Sequence, residues 1–467
     1  MIATAHKHFR KIFAPAILFA AFFIPVSAAL ADQELEFEVH SVRTVKGKIA
    51  ADRKEDKAEK KTESYPMRVM LGANYISVEA QGRRKIFDFL KRRVYTVNLQ
   101  SGVYSDQSLY ALIGFLSLEY QNRQFLQKAL KASGLEGKAG DALHGFDAVF
   151  VEHELGLSDK KSDPKIIESS DSQSVLFESK GKQLLSYDKK LHKLDDMETI
   201  AYIRFLRYAF IAHPTLLDKL KALNGIPRSV KLSKYAPNSE FTVILKSARN
   251  SKSVGYSLDG MSLGLMPEDK AAFSAFLFKQ LSAKEDVVRR EQTIRDQVEP
   301  ACKAGRYVDC FLGSSEWSLQ TGIKIFPQKY LPGTYRSLIG ANAEFRELRA
   351  AINPPSKEGV EKAVSTLAKL REHSADKQHV LKVFEANHWV KLRKSRKAVE
   401  LFHEALQENP FLTSAYKDLG DAYYADYQTG LAWQSWDFGR KLYPNHWLFE
   451  PVNEFEKKLA ATYPEFF

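Results

Sequence analysis

Residues His379–Pro444 read HVLKVFEANHWVKLRKSRKAVELFHEALQENPFLTSAYKDLGDAYYADYQTGLAWQSWDFGRKLYP. From Thr413 onward, Tyr416, Leu419, Gly420 and Tyr423 recur at the three- and four-residue spacing of one helix face. Ala432, Trp436 and Gly439 repeat that spacing on a second helix, and Thr429-Gly430 separates the two. Gly420 and Ala432 leave room for the helices to approach, and Tyr423 and Trp436 fill the gap between them. Pro444 closes the unit, because proline cannot continue a helix. A looser copy precedes it over residues 379–410, with Ala386 and Trp389 on its first helix and Ala398, Phe402, Ala405 and Pro410 on or after its second. That first helix departs from the pattern at Lys382 and Glu385.

At this fixed spacing the unit resembles a tetratricopeptide repeat. The resemblance implies a stack of helical pairs whose first helices line a concave face that holds a peptide or partner helix. The outward positions it implies are Asn387, Lys391, Lys417, Asp421 and Tyr424. The competing reading makes them ordinary solvated side chains of a stack used only for packing. A third unit over 357–373 precedes these two, without a clear alignment to the pattern. Residues 446–463 read as an amphipathic helix that caps the stack, as terminal repeats require.

The other end of the chain differs. Lys7, Arg10 and Lys11 precede an apolar run from Ile12 to about Val26, and Ser27-Ala28-Ala29-Leu30-Ala31 follows. This is the order of a secretory signal cleaved after Ala31, which implies a periplasmic or secreted protein. Pro15 and Pro25 interrupt the run, which argues against an uncleaved anchor. Cleavage leaves 467 − 31 = 436 residues, enough for two or three domains. The net charge falls from +12 to 12 − 3 = +9. Such a charge permits peripheral contact with an anionic membrane, although interspersed surface charge is the simpler account. Cys302 and Cys310 flank Gly305, and in an oxidising compartment this spacing predicts a disulfide.

From Glu34, Leu35, Phe37 and Val39 alternate with Glu34, Glu36 and Glu38, the period of a half-buried strand. The charge-dense stretch 50–64 reads as a loop or hairpin tip, and strand patterns resume at Met67. MRVMLGANYISVEA, KIFDFL and RVYTVNLQSGVYSD form a meander with tight turns. Helical patterns cover 108–133 and 197–223, the second broken at Pro214, and further strands are expected at 143–155, 174–187, 229–232, 241–247 and 254–258. From Pro267 the pattern is helical. The fold class is therefore α+β: an N-terminal antiparallel curved sheet with packed helices over 32–262, and an all-α helical-repeat domain over 267–467. The strand order resembles the periplasmic half-barrels of lipoprotein carriers. That resemblance implies an apolar or acyl ligand held in the sheet by residues such as Phe37, Ile76, Phe87, Val94 and Tyr95.

A search for chemistry finds no phosphate loop, dinucleotide fingerprint, HExxH or calcium loop. Gly255–Gly260 has one residue too many for a nucleophile elbow and reads as a hairpin turn. His144 and His153 lie near Asp147, Glu152 and Glu154, but on a strand the two imidazoles face opposite sides. No catalytic residue, metal or cofactor is assigned, and an exported location disfavours nucleic acid. Three functions remain: an adaptor that binds another envelope protein or peptide through its repeats, a carrier or sensor of an apolar ligand, and an enzyme of unfamiliar type.

Overall fold

The computed structural model describes residues 32–45, 59–134, 147–158, 165–235, 238–251, 255–264, 287–322, 340–373 and 376–467, with the single residues Ala275 and Ser337. The expected signal segment and His144 lie outside the described residues. Strands β1 (Gln33–Val45), β2 (Glu59–Leu71), β3 (Tyr75–Ala80), β4 (Arg83–Asp88), β5 (Arg93–Asn98) and β6 (Val103–Ser108) form the expected meander. Later come β7 (Ile167–Ser170), β8 (Ser174–Ser179), β9 (Lys182–Asp188), β10 (Leu191–Lys193), β11 (Gly225–Pro227), β12 (Ser229–Tyr235), β13 (Asn238–Asn250) and β14 (Ser262–Leu263). Twelve of these make one sheet in the order β14-β6-β5-β4-β3-β2-β1-β13-β12-β9-β8-β7, and β10 and β11 pair separately. All pairings in the large sheet are antiparallel except β14 with β6.

The alternation in β1 sets the two faces. Leu35, Phe37 and Val39 are buried on the core face beside Met67, Val69 and Leu71 of β2. Glu34, Glu36 and Glu38 point to the other face and meet the cations of neighbouring strands. Glu34 takes both Arg249 and Arg68, and Arg249 first among them holds its carboxyl down to about 2 despite burial. A bulge at Glu36/Phe37 interrupts the pairing of β1 with β13.

The helices of the first half are α1 (Leu109–Ala132), α2 (Ala148–Leu155), α3 (Asp196–Ala209) and α4 (Pro214–Lys221). Helix α3 starts on a capping box between Asp195 and Glu198, which satisfies two otherwise free backbone donors. It lies on the core face, where Phe205 stacks on Phe37 at 5.5 Å and Tyr208 meets Phe87 at 4.5 Å. Pro214 does interrupt the helical run, as the first residue of α4 behind a His213 cap.

Several sequence expectations are corrected here. Residues 148–155 are helical, since Asp147 caps the segment and Gly156 ends it in the left-handed conformation, where a side chain is costly. The charged stretch ends in strand, because β2 begins at Glu59 and pairs along β1 as far as Val45. Residues 255–261 form no strand; they fold over the outer sheet face, where Tyr256, Leu258 and Met261 cover Tyr75, Ile86, Tyr95 and Val97.

The second half is helical: α5 (Val287–Lys303), α6 (Tyr307–Thr321), α7 (Ala343–Ile352), α8 (Lys357–His373), α9 (Gln378–Lys391), α10 (Ser395–Glu408), α11 (Thr413–Ala425), α12 (Thr429–Leu442) and α13 (Glu450–Thr462). Cys302 and Cys310 form a disulfide across the α5–α6 turn. Among the described residues, no helix is long and apolar enough to cross a membrane.

The two halves share a core. One continuous buried cluster runs from Leu35 and Phe37 through Ile113 and Leu116 of α1 to Trp433, Trp436 and Phe438 of α12. Trp433 presses on Gly114, where an added Cβ would stand 2.4 Å from the indole ring. Replacing Gly114 with alanine should therefore destabilise the chain by about 1–3 kcal/mol, even though alanine is the better helix former. Gly430, whose Cβ would meet nothing, is the control. Urea midpoints of Gly114→Ala and Gly430→Ala check this, and equal midpoints would count against the close seam.

Candidate functional site

The helical half repeats its backbone as well as its side chains. Arg393 and Tyr427 are both left-handed, with φ of 57° and 61°, in the turns after α9 and α11. Their separation is 427 − 393 = 34 residues, the period expected for helical pairs of this kind. The caps of the following helices, Lys394 and Gln428, share ψ of 58°, and Asn409 and Tyr443 end them at similar angles, with φ of −136° and −143° and ψ of 96° and 88°. Helices α7 and α8 form a further pair ahead of these two, and α13 follows them.

The packing residues sit where the sequence places them. Tyr416, Leu419, Gly420 and Tyr423 are buried on α11, and Ala432, Trp436 and Gly439 are buried on α12. A Cβ on Gly420 would stand 2.2 Å from Trp436, so the two helices need the glycine there. Trp436 also donates its indole N–H to the Lys417 carbonyl at 3.1 Å. Pro444 is exposed just beyond α12. The two departures in the earlier unit have a physical reason. Lys382 is buried but pairs with Glu404 at 3.0 Å and Glu408 at 2.5 Å on α10, and Glu385 pairs with Arg371 of α8 at 2.9 Å. Ion pairs between neighbouring helices replace apolar contacts at both positions.

Of the five expected outward residues, four share a face of α9 and α11. Lys391 is exposed, Asn387 and Asp421 are half-exposed, and the Lys417 side chain is 15% exposed. Asn387 donates to Asp418 across the two helices at 2.8 Å, and Lys417 pairs with Asp421 at 2.5 Å along α11. Tyr424 departs from this set. It packs between Trp433, Trp436 and Phe455, with ring centroids 5.5–5.9 Å away, because α13 covers its side of α11. Burial pushes the Asp418 carboxyl up to about 6, against the opposing pull of Asn387 and Lys417.

Two polar clusters behind this face were not legible beforehand. Glu316 of α6 is fully buried and receives Lys377 at 2.6 Å, His379 at 2.9 Å and Asn409 at 2.7 Å. Burial opposes its charge, but His379 and Lys377 hold it at about 2. At the seam, Arg93 of β5 bonds Asp106 and Asp437, each at 2.6 Å. Asp437 meets Arg440, which reaches Glu456 of α13, and Glu456 accepts the Trp433 indole N–H at 2.9 Å. No local motif announces either cluster, because the partners are separated by tens to hundreds of residues.

Of the five residues expected to hold an apolar ligand, four share one core and one lies apart. Phe37, Ile76, Phe87 and Val94 are packed into the shared core under α3, whereas Tyr95 lies on the opposite face with Tyr104 and Tyr256. Of the acids and imidazole near residue 153, Glu152 and His153 meet at His213, whereas Asp147 pairs with Lys180 and Glu154 accepts the Tyr235 backbone N–H. Glu152 accepts Tyr120 at 3.1 Å and contacts His213 at 2.9 Å, and His153 contacts the Ser233 carbonyl at 2.9 Å. Both imidazoles are completely buried, so the cluster clasps α2 to α4 and β12. Among the described residues, no group of His, Cys, Asp and Glu is arranged to hold a metal.

The chain matches no family model and no curated protein sequence. The Asp418 environment offers a direct check on the α9–α11 face. A carboxyl raised by folding loses stability as pH rises from its ordinary 3.8 through about 6. Asp418→Asn should therefore raise the denaturation midpoint at pH 8, by an amount of order 1 kcal/mol after allowance for partial exposure, and leave it unchanged near pH 4. Denaturation curves at the two pH values check this.

Proposed function

We propose that the chain is an exported, non-catalytic adaptor of the tetratricopeptide type, which binds a segment of another envelope protein on the α9–α11 face. One observation carries the reading: the helical stack has two sides with different fates. The side bearing Trp433 and Asp437 is consumed by the sheet half. Among the described residues, the side bearing Asn387, Lys391, Lys417 and Asp421 bonds within the repeat helices and stays partly or fully exposed. Solenoids of helical pairs use this face for recognition. The face carries both charge signs, with Lys391 and Lys417 against Asp421, which favours a polar, mixed-charge segment over an apolar one.

The basic leader and small-residue cleavage pattern support export, and the closed disulfide is compatible with an oxidising compartment. Catalysis has no comparable support. The buried acid and histidine groups, Glu152 with His213 and Glu316 with His379, are sealed into helix packing, where a substrate cannot reach them.

Photo-crosslinking residues introduced at positions 391 and 421 of the full chain should capture the same envelope protein. The double reversal Lys391→Glu with Asp421→Lys should reduce capture at least fivefold. A crosslinker at exposed Lys131, on the far half, serves as the control. Equal capture from position 131, or capture indifferent to charge reversal, would overturn the reading.

A further inference from the structure

The last described stretch, Tyr463–Phe467, leaves the helical stack and inserts into the sheet half. Phe466 is 1% exposed. Its carbonyl accepts the Tyr208 hydroxyl at 2.5 Å, and its ring meets that of Tyr208 at 5.7 Å. Arg92, in the turn between β4 and β5, donates to the Phe467 carbonyl at 2.8 Å and lies 5.1 Å over its ring. Tyr110 of α1 packs on the other side of that ring system at 5.0 Å, and Ser117 reaches the Tyr463 hydroxyl at 3.4 Å. The stretch is thus held as a bound peptide is held, by main-chain carbonyls and ring faces.

One member of the slot is incompletely satisfied. The Arg207 side chain is 5% exposed, and its guanidinium lies 5.0 Å over the Phe466 ring. Its Nε and Nη1 have no hydrogen-bond partner, and the Glu465 carboxylate stops 4.0 Å from Nη1. Arg204, on the same helix, lies 4.8 Å over the Phe89 ring, which itself meets Tyr208. A buried guanidinium gains most from a carboxylate that meets it in bidentate geometry, and the bound stretch does not supply one. The neighbouring helix does not depend on the stretch. Val452 and Leu459 bury α13 against the stack, and Glu456 ties it to Trp433 and Arg440.

We propose that this slot is a recognition site for a short acidic and aromatic peptide segment, occupied in cis by Tyr463–Phe467 and open to a partner segment that seats its carboxylate on Arg207. The site is distinct from the α9–α11 face and does not rest on it. Rings supply affinity through Tyr208, Arg92 and Tyr110, and Arg207 supplies the preference for an acid. The cis stretch keeps the slot closed until a competitor displaces it.

The test uses the full chain and the acetylated, amidated pentapeptide Tyr-Pro-Glu-Phe-Phe, with a Gln version as comparison. Titrated to millimolar concentration, the Glu peptide should speed amide exchange of residues 463–467 at least tenfold and leave α9 and α10 unchanged. A full-length Phe466→Ala, Phe467→Ala chain should bind the labelled Glu peptide at least tenfold more tightly than the parent chain, and at least threefold more tightly than it binds the Gln version. Adding Arg207→Gln should abolish the difference between the two peptides. If the double alanine chain does not fold, the exchange measurement on the parent chain decides the matter. Unchanged exchange, equal binding to both chains, or indifference to Glu against Gln would each overturn the proposal.

Discussion

Trp433 lying on Gly114 is the contact on which the architecture turns. A 24-residue helix of the sheet half and the second helix of a repeat unit approach so closely that no side chain fits at position 114. Burying a large indole stabilises the chain but has no direction of its own. Direction comes from the charges around it. Arg93 reaches from the sheet to Asp437, and Arg440 and Glu456 continue the chain of ion pairs into α13. Removing one member of such a half-buried network leaves another charge without its partner, so the network disfavours other dockings more than it strengthens this one. The apolar contact holds the halves together, and the ion pairs fix how they sit.

That division explains which surfaces remain available. The sheet-facing side of the helical stack is already packed, with Trp433 on Gly114. Its first-helix side retains polar residues that are satisfied locally, Asn387 on Asp418 and Lys417 on Asp421. Locally satisfied groups can exchange partners at low cost, since their bonds are short-range and half-exposed. Glu316, by contrast, is satisfied from three directions and completely buried. It belongs to the scaffold that holds α6 against α9 and α10.

How far the sequence revealed this depended on the range of each signal. Strand alternation in β1 and the helix face through Tyr416, Leu419, Gly420 and Tyr423 are local periods, and both reappear in the fold. The disulfide was legible because its two cysteines are eight residues apart across one turn. The short apolar run at 148–155 suits strand or helix equally, and the Asp147 cap and Gly156 stop decide for helix. Tyr424 differs from the other expected outward residues for another reason. The repeat pattern gives the face of α11 it occupies, but whether that face is open depends on α13, which covers it with Phe455. The residues of the apolar-ligand reading divide between two sheet faces on the same ground. Phe37 and Phe87 follow the strand period, yet only the tertiary arrangement shows that Phe205 and Tyr208 fill the space above them.

The same limit applies to the seam and to the slot that holds Phe466. Arg93 and Asp437 are 344 residues apart, and Tyr208 and Phe466 are 258 apart. Each of these residues, taken alone in the sequence, is an ordinary strand, helix or terminal residue. Their meaning arises only when two segments with separate local patterns bury apolar surface against one another. A chain whose halves share one core therefore carries its most specific chemistry at their junction, where Arg207 lies buried with hydrogen-bonding capacity to spare. Local pattern can place the helices and strands on either side of that junction, but the charges that face one another across it are set by the docking itself.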